Sequence, residues 1–215
     1  MLEETRERFE ETLEILIRAW THERFAFEGR HFQIPEVSVY PRPVTRPRPS
    51  IYLVGITPGT LAFGAQRGLP LLIAGAQTVS IVAETQAAYR SLLADSGFDP
   101  ADAVFPVNRF VYVAETDAEA ERDMRETLMG FIHRPGSVIR DFLKLPAGEI
   151  TYELLTREVC IFGNAETCRE RILALSEQVD LRHLICTFNY FTLDQDRCRA
   201  SMQRFSEQVL PALAA

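Results

Sequence analysis

Ser50–Gly68, SIYLVGITPGTLAFGAQRG, is the stretch whose reading decides the fold. Ser50–Val54 is a short apolar run bounded by Pro49 and Gly55, the pattern of a strand buried on both faces. Thr57 is a good helix N-cap, Pro58 suits the first helical position, and Gly59 lets the backbone approach a neighbour closely. A buried strand, a tight polar turn and a helix start make one βα unit. The start of such a helix carries unpaired N–H groups and partial positive charge. With the Thr57 and Thr60 hydroxyls beside it, this turn is a candidate phosphate site. A plain βα turn with a capped helix accounts for the same residue types.

Outward from this unit, the order of elements repeats it. Tyr40–Ser50, with four prolines before the strand, excludes a helix or a central strand and reads as an extended connector. Upstream, Phe25–Val39 reads as a short irregular β region turning at Gly29. Residues 2–21 read as a helix. Phe9, Leu13, Leu16, Ile17 and Trp20 share one face, and Glu4–Arg8 and Glu14–Arg18 form i,i+4 pairs. Downstream come a strand at Leu69–Ile73, a helix at Val79–Asp95 ending at Gly97, and a strand at Arg109–Ala114. A helix opening at Asp117 and short helices over 133–158 follow, then an extended piece at Cys160–Gly163. Asn164 caps a helix running to about Gln178. His183–Thr187 is a fourth strand and Arg197–Leu213 a closing helix. Alternation of strands and helices predicts parallel βα units. Four such units suit either a small doubly wound sheet or half of a (β/α)8 barrel. A chain that opens on a long helix and is shorter than the roughly 250 residues of a full barrel favours part of a barrel.

Composition narrows the function classes. The 215 residues carry a formal net charge of -7, with 47% hydrophobic and 25% charged residues. This is ordinary for a globular protein and unsuited to a nucleic-acid surface. No apolar run has the length of a membrane span, and the charged start, MLEETRERFEE, is no secretory signal. The expected setting is cytoplasmic, with Cys160, Cys168, Cys186 and Cys198 as reduced thiols. The cysteines lack CxxC spacing and the four histidines lack an HExxH pattern, so no metal is expected.

The first 60 residues resemble the middle of bacterial-luciferase-like flavin monooxygenases. Arg8, Phe9, Glu11, Leu13, Glu14 and Trp20 match the family's helix pattern. Glu28–Gly29 match its hairpin, and Pro41, Pro43, Pro47 and Pro49 its strap. Ala65 and Gly68 with LPLL behind them, FGNAETCRERI, and RFSEQVLPAL extend the resemblance over nearly the whole chain. It implies the C-terminal half of a (β/α)8 barrel, about strands five to eight, with an excursion over residues 115–180 before the last strand. The first four units, with the usual catalytic histidine, precede the matched region in the family, so no catalytic residue is assigned. The implied cofactor is reduced FMN supplied by a separate reductase, or deazaflavin F420 in a related branch. Its phosphate is held partly by the turn that corresponds to Thr57, Gly59 and Thr60.

The implied chemistry is oxygen insertion into a small organic substrate. The protein positions the flavin and shields it from water. Phe188, Tyr190 and Phe191 are candidates for that shielding, and Asn189 and Tyr190 for lining the pocket. His183 is a weak candidate at the start of the last strand, and His22 and His31 do not match the catalytic position. Partners implied are the substrate, the reductase, and a second copy or an N-terminal half-barrel. A hydride-transferring F420 enzyme and a non-enzymatic half-barrel that binds through its strand edges stand as alternatives.

Overall fold

The computed structural model describes residues 2–134, 143, 147–189 and 192–213. Two compact units divide the chain, residues 1–51 and 52–215. The first is built from helix α1 (Leu2–Thr21) and an antiparallel hairpin, β1 (Phe25–Glu28) with β2 (Gln33–Val37). The pairs Arg8–Glu4 (3.0 Å) and Arg18–Glu14 (2.8 Å) form as the spacing predicts, joined by Arg6–Glu10 (3.0 Å). On the expected apolar face only Leu13 is buried, and Phe9 stays 46% exposed. What ties α1 to the hairpin is polar. The Glu11 carboxylate accepts the backbone N–H groups of Arg30 (2.7 Å), His31 (3.0 Å) and Phe32 (3.0 Å). Glu7 meets Arg30 (2.8 Å) and His31 Nε2 (2.7 Å). Gly29 is required here, because a Cβ at that position would lie 2.3 Å from Glu11 Oε2.

The second unit is α/β. Strand β3 (Leu53–Val54) pairs in parallel with β4 (Leu71–Leu72). Ile73 bridges in parallel to Val107 of β5 (Pro106–Val113), and β5 pairs in parallel with β7 (His183–Thr187). The parallel succession is therefore β3, β4, β5, β7. The ladder of β3 with β4 is narrower than the apolar runs that predict it. Strand β5 begins at Pro106, earlier than expected. Pro106 needs no N–H there, and its carbonyl accepts from Ile73 N–H (2.9 Å). The expected excursion over 115–180 is not wholly helical. Its Cys160–Gly163 piece is strand β6, all four residues buried, paired in parallel with Phe110–Val113.

Helices α2 (Pro58–Ala65), α3 (Val79–Asp95), α4 (Asp117–Ile132), α5 (Tyr152–Glu158), α6 (Ala165–Gln178) and α7 (Gln195–Arg204) join these strands. Each starts on a side-chain cap: Thr57, Thr78, Thr116, Thr151, Asn164 and Asp194. A π-turn at Phe205–Val209 carries α7 on to Leu210–Leu213. Alternation along β5 divides the core. Val111 and Val113 pack with Ile161, Cys168, Ile172, Phe205 and Val209. Tyr112 and Ala114 pack with Met124, Leu128, Ile132 and Leu155.

Candidate functional site

Parallel pairing brings the turns that follow β3, β4 and β7 to one edge of the sheet, where ligands of α/β proteins bind. At the turn after β3, Thr57 is extended (φ -74°, ψ 147°) and its Oγ1 accepts the N–H of Thr60 at 3.3 Å. The Thr57 and Thr60 hydroxyls lie 2.8 Å apart, and Thr57 O accepts from Leu61 N–H at 3.0 Å. Pro58 has no N–H, and Gly59, at the second helical position, has no acceptor within the helix. Gly55 sits at φ +145°, and a Cβ there would lie 2.9 Å from Thr60 Cγ2. The three expected residues thus share one small, solvent-facing corner. Its helix has no acidic residue in the first turn.

The start of α6 repeats this arrangement with an anion in it. Asn164 caps the helix and accepts from Thr167 N–H at 2.9 Å. A Cβ on the preceding Gly163 would meet Thr167 Cγ2 at 2.7 Å. Here the Asp117 carboxylate accepts Asn164 N–H (2.7 Å) and the Thr167 hydroxyl (3.0 Å). A glycine, a polar cap and a threonine three residues past the cap therefore receive a carboxylate at α6. The same set at α2 has no carboxylate partner among the described residues.

Three features of this edge are not legible in the sequence. Gln77, in the turn after β4, is 1% exposed, and its Oε1 has no partner among the described residues. Asn108 Nδ2 donates to Ile185 O (3.0 Å) and Thr187 Oγ1 (2.8 Å), locking β5 to the end of β7. Gly75 admits that side chain, since a Cβ there would lie 2.4 Å from Asn108 Oδ1. A buried glutamine after a strand is the only local signal, and nothing in its neighbours marks it. Helix α3 beside it, capped by Thr78, is the other capped helix described here without an acid in its first turn.

The other expected residues fall elsewhere. His183 is exposed at the N-terminal end of β7, level with Pro106 and away from this edge. His31 is bound to Glu7, and His22 Nδ1 to the Thr21 hydroxyl (2.9 Å). Phe188 packs edge-to-face on Phe205, ring centroids 5.3 Å apart. Asn189 is exposed, and Tyr190 and Phe191 lie outside the described residues. All four cysteines are free. Burial pushes the thiols of Cys160 and Cys168 up to about 12 and that of Cys186 to about 11, which removes their nucleophilic form at neutral pH. The described residues hold no cluster of three or more metal-ligating side chains, and no described helix is long and apolar enough to cross a membrane.

Comparison with known proteins places this geometry. The chain is 21% identical to 2,5-diketocamphane 1,2-monooxygenase 1 of Pseudomonas putida, over 94% of this chain and 63% of that protein. It thus spans about 63% of the length of that curated relative. The oxygenating constituent of 3,6-diketocamphane monooxygenase from Pseudomonas putida, solved with FMN, shares the fold. Its TM-score is 0.74 at 19% identity, over 94% of this chain and 62% of that one. An F420-dependent secondary alcohol dehydrogenase solved with an F420–acetone adduct does so at TM-score 0.67 and 17% identity, over 94% and 60%. The sequence model of the luciferase-like monooxygenases matches residues 1–181, and the chain belongs to that family.

Proposed function

We propose that this chain supplies strands five to eight of a (β/α)8 barrel. The barrel enzyme oxidises a small organic substrate with O2 and reduced FMN, and Thr57, Gly59 and Thr60 receive the flavin phosphate. The observation that carries this reading is the pair of matched helix starts. Both corners follow parallel strands; the one at α6 is filled by Asp117, whereas the one at α2 has two hydroxyls and no acid in its first turn. An anion there gains hydrogen bonds and the helix dipole without a competing charge. Gln77 Oε1 adds a buried acceptor beside the same edge, suited to an N–H such as a flavin ring carries.

The partial-barrel reading draws support from the parallel succession β3, β4, β5, β7. The two ends of that succession expose Tyr52 and Val54 on one side and Ile185 on the other, apolar residues suited to further strands. When bound, the reduced flavin supplies the electrons for oxygen activation. Of this chain's residues, Thr57 and Thr60 anchor the phosphate, Gln77 orients the ring, and Asn108 fixes the strand ends around the site. Deazaflavin F420 is the second reading, supported by the F420-dependent structural neighbour. A separate reductase supplies reduced FMN under the first reading.

Titration of the purified chain with FMN, followed by flavin fluorescence, tests the site. Saturable binding weakened by about tenfold or more in Thr57→Ala/Thr60→Ala is expected from loss of two hydrogen bonds to a charged group. Equal affinity in the double variant removes the phosphate from this turn. Preference for F420 over FMN would select the second reading.

A further inference from the structure

A cavity of about 630 Å³ opens in the second unit between α4, α5, α6 and strand β6. Arg109, Arg171, Tyr152, Thr156, Cys160 and Leu175 are among its walls. Arg109 alternates along β5 with Val111 and Val113, so it stands on the face that the Cys168–Ile172 side of α6 covers. A strand face of this kind normally carries apolar residues. Arg109 is instead a charged side chain only 2% exposed.

The charges around this cavity are unequally spent. Arg125 is bound by Glu121 and Glu153, and Arg157 by Glu158. Asp117 is consumed by the start of α6. Every carboxylate lining the cavity is therefore engaged. Arg171 donates to the Thr156 carbonyl, and Arg109 Nη1 to the Asn108 carbonyl (3.1 Å). Neither has a carboxylate partner among the described residues. Arg109 Nη2 is buried with no acceptor among the described residues. Leaving a charged donor unmade in the interior is costly, and proteins rarely tolerate it without a ligand or water. Burial also pulls the Arg109 guanidinium down to about 10, by more than nearby Cys160 and Glu158 raise it.

We propose that this cavity is a binding site for a small organic molecule bearing an oxyanion, a carboxylate or a phosphate, held between Arg109 and Arg171. A guanidinium fork matches either group with two parallel N–H···O bonds. The volume suits a small molecule. Leu175, Val159 and Phe162 give the wall an apolar patch that fits the body of such a ligand. Tyr152 holds its proton, because burial pushes its phenol up to about 12, so it offers an O–H donor and no competing charge. This inference stands apart from the flavin reading, since it uses no residue of the turn after β3.

The test is thermal unfolding of the full chain titrated with sodium phosphate, and separately with sodium benzoate, each against sodium chloride at equal ionic strength. The expected result is a saturable rise in Tm with one of the two probes, retained in Thr57→Ala/Thr60→Ala. Its half-saturating concentration rises about tenfold or more in Arg109→Met and in Arg171→Met. Whichever probe acts names the oxyanion. Arg109→Met removes a buried charge and keeps the side-chain volume, so it is expected to stay folded. If it does not, Arg171→Met carries the same test from the cavity's other wall. A rise of equal size in wild type and both arginine variants, or none beyond chloride with either probe, overturns the proposal and leaves Arg109 as a cation satisfied by water. Loss of the effect only in the Thr57/Thr60 variant overturns it as well and assigns the anion to the turn after β3.

Discussion

Two regions of this molecule solve one problem with a carboxylate, and a third builds the same kind of corner without an acid in its first turn. At the hairpin of the first unit, Glu11 enters a corner of three backbone N–H groups beside Gly29. At α6, Asp117 enters a corner of one N–H and one hydroxyl beside Gly163. At α2, Gly55, Thr57 and Thr60 build a corner of the same kind, with no carboxylate of the described residues bonded in it. Where the chain needs an anion for its own folding, it supplies one from a distant residue, 47 positions away for Asp117 and Asn164. Both helix starts follow parallel strands, and only the one at α2 lacks an acid in its first turn. A capped helix start alone is ambiguous. A capped start that lacks the internal anion seen at its structural counterparts points outward.

The strongest way to break this contrast is to empty a filled corner. Asp117→Ala removes two charge-assisted bonds and leaves the Asn164 N–H and the Thr167 hydroxyl without their acceptor. Unfolding in urea should show a loss of about 2 kcal/mol, and a Tm drop of roughly 4–8 °C. A neutral result would mean that the carboxylate at α6 is incidental, and the argument by analogy for α2 would go with it.

The hairpin corner offers an acid titration. Burial raises Glu11, but the N–H groups of His31, Arg30 and Phe32 outweigh it and hold the carboxyl below its ordinary range. Glu7 is also held low, first by its bond to His31. Carboxylates lowered in the folded state stabilise above their unfolded value, and that stability is lost as pH falls through the folded values. Amide protection at Arg30–Phe32 should therefore collapse on acidification below about pH 4, and Glu11→Gln should flatten that dependence. Unchanged protection across the same range would show that packing, not the carboxylate, holds the hairpin.

At α2 the effect on stability is smaller. Thr57→Ala removes a cap worth about 1 kcal/mol, readable as a lowered urea midpoint with an unchanged slope. A loss far above this would show that Thr57 is fixed for folding, like Asp117, and would weaken its assignment to a ligand.

How much of this could be read from the sequence follows the range of the interactions. The caps Thr57 and Asn164, the helix Val79–Asp95 and the strand His183–Thr187 depend on residues within a turn or a strand of one another, and their reading matches the structure. The Pro106 start of β5 was hidden, because a proline reads as a strand breaker until its missing N–H is seen to be unneeded. Cys160–Gly163 reads as an extended piece, and the ladder to Phe110–Val113, which no period in four residues announces, makes it a strand. Phe9 shows the converse: helical spacing put it on the apolar face, yet it is 46% exposed. Asn108 and Thr187 meet across 79 residues, and the missing partner of Arg109 is visible only once the carboxylates around it are paired off.

The sharpest test of the bare corner produces the smallest change in stability. Gly59→Asp places a carboxylate in the first turn of α2, where Glu166 stands in α6. If the corner is an unfilled anion site, the new side chain should satisfy the exposed N-terminus and raise stability by about 0.3–1 kcal/mol through the helix dipole, plus the gain from replacing a helical glycine. The same carboxylate should repel a phosphate, so FMN titration of this variant should show binding weakened by more than in Thr57→Ala/Thr60→Ala. Stabilisation together with lost binding would mean that the chain has left this corner uncompensated for a ligand. Stabilisation with FMN affinity intact would place the phosphate elsewhere. Destabilisation would mean that the backbone at Gly59 tolerates no side chain, so that its glycine serves close packing and not anion approach.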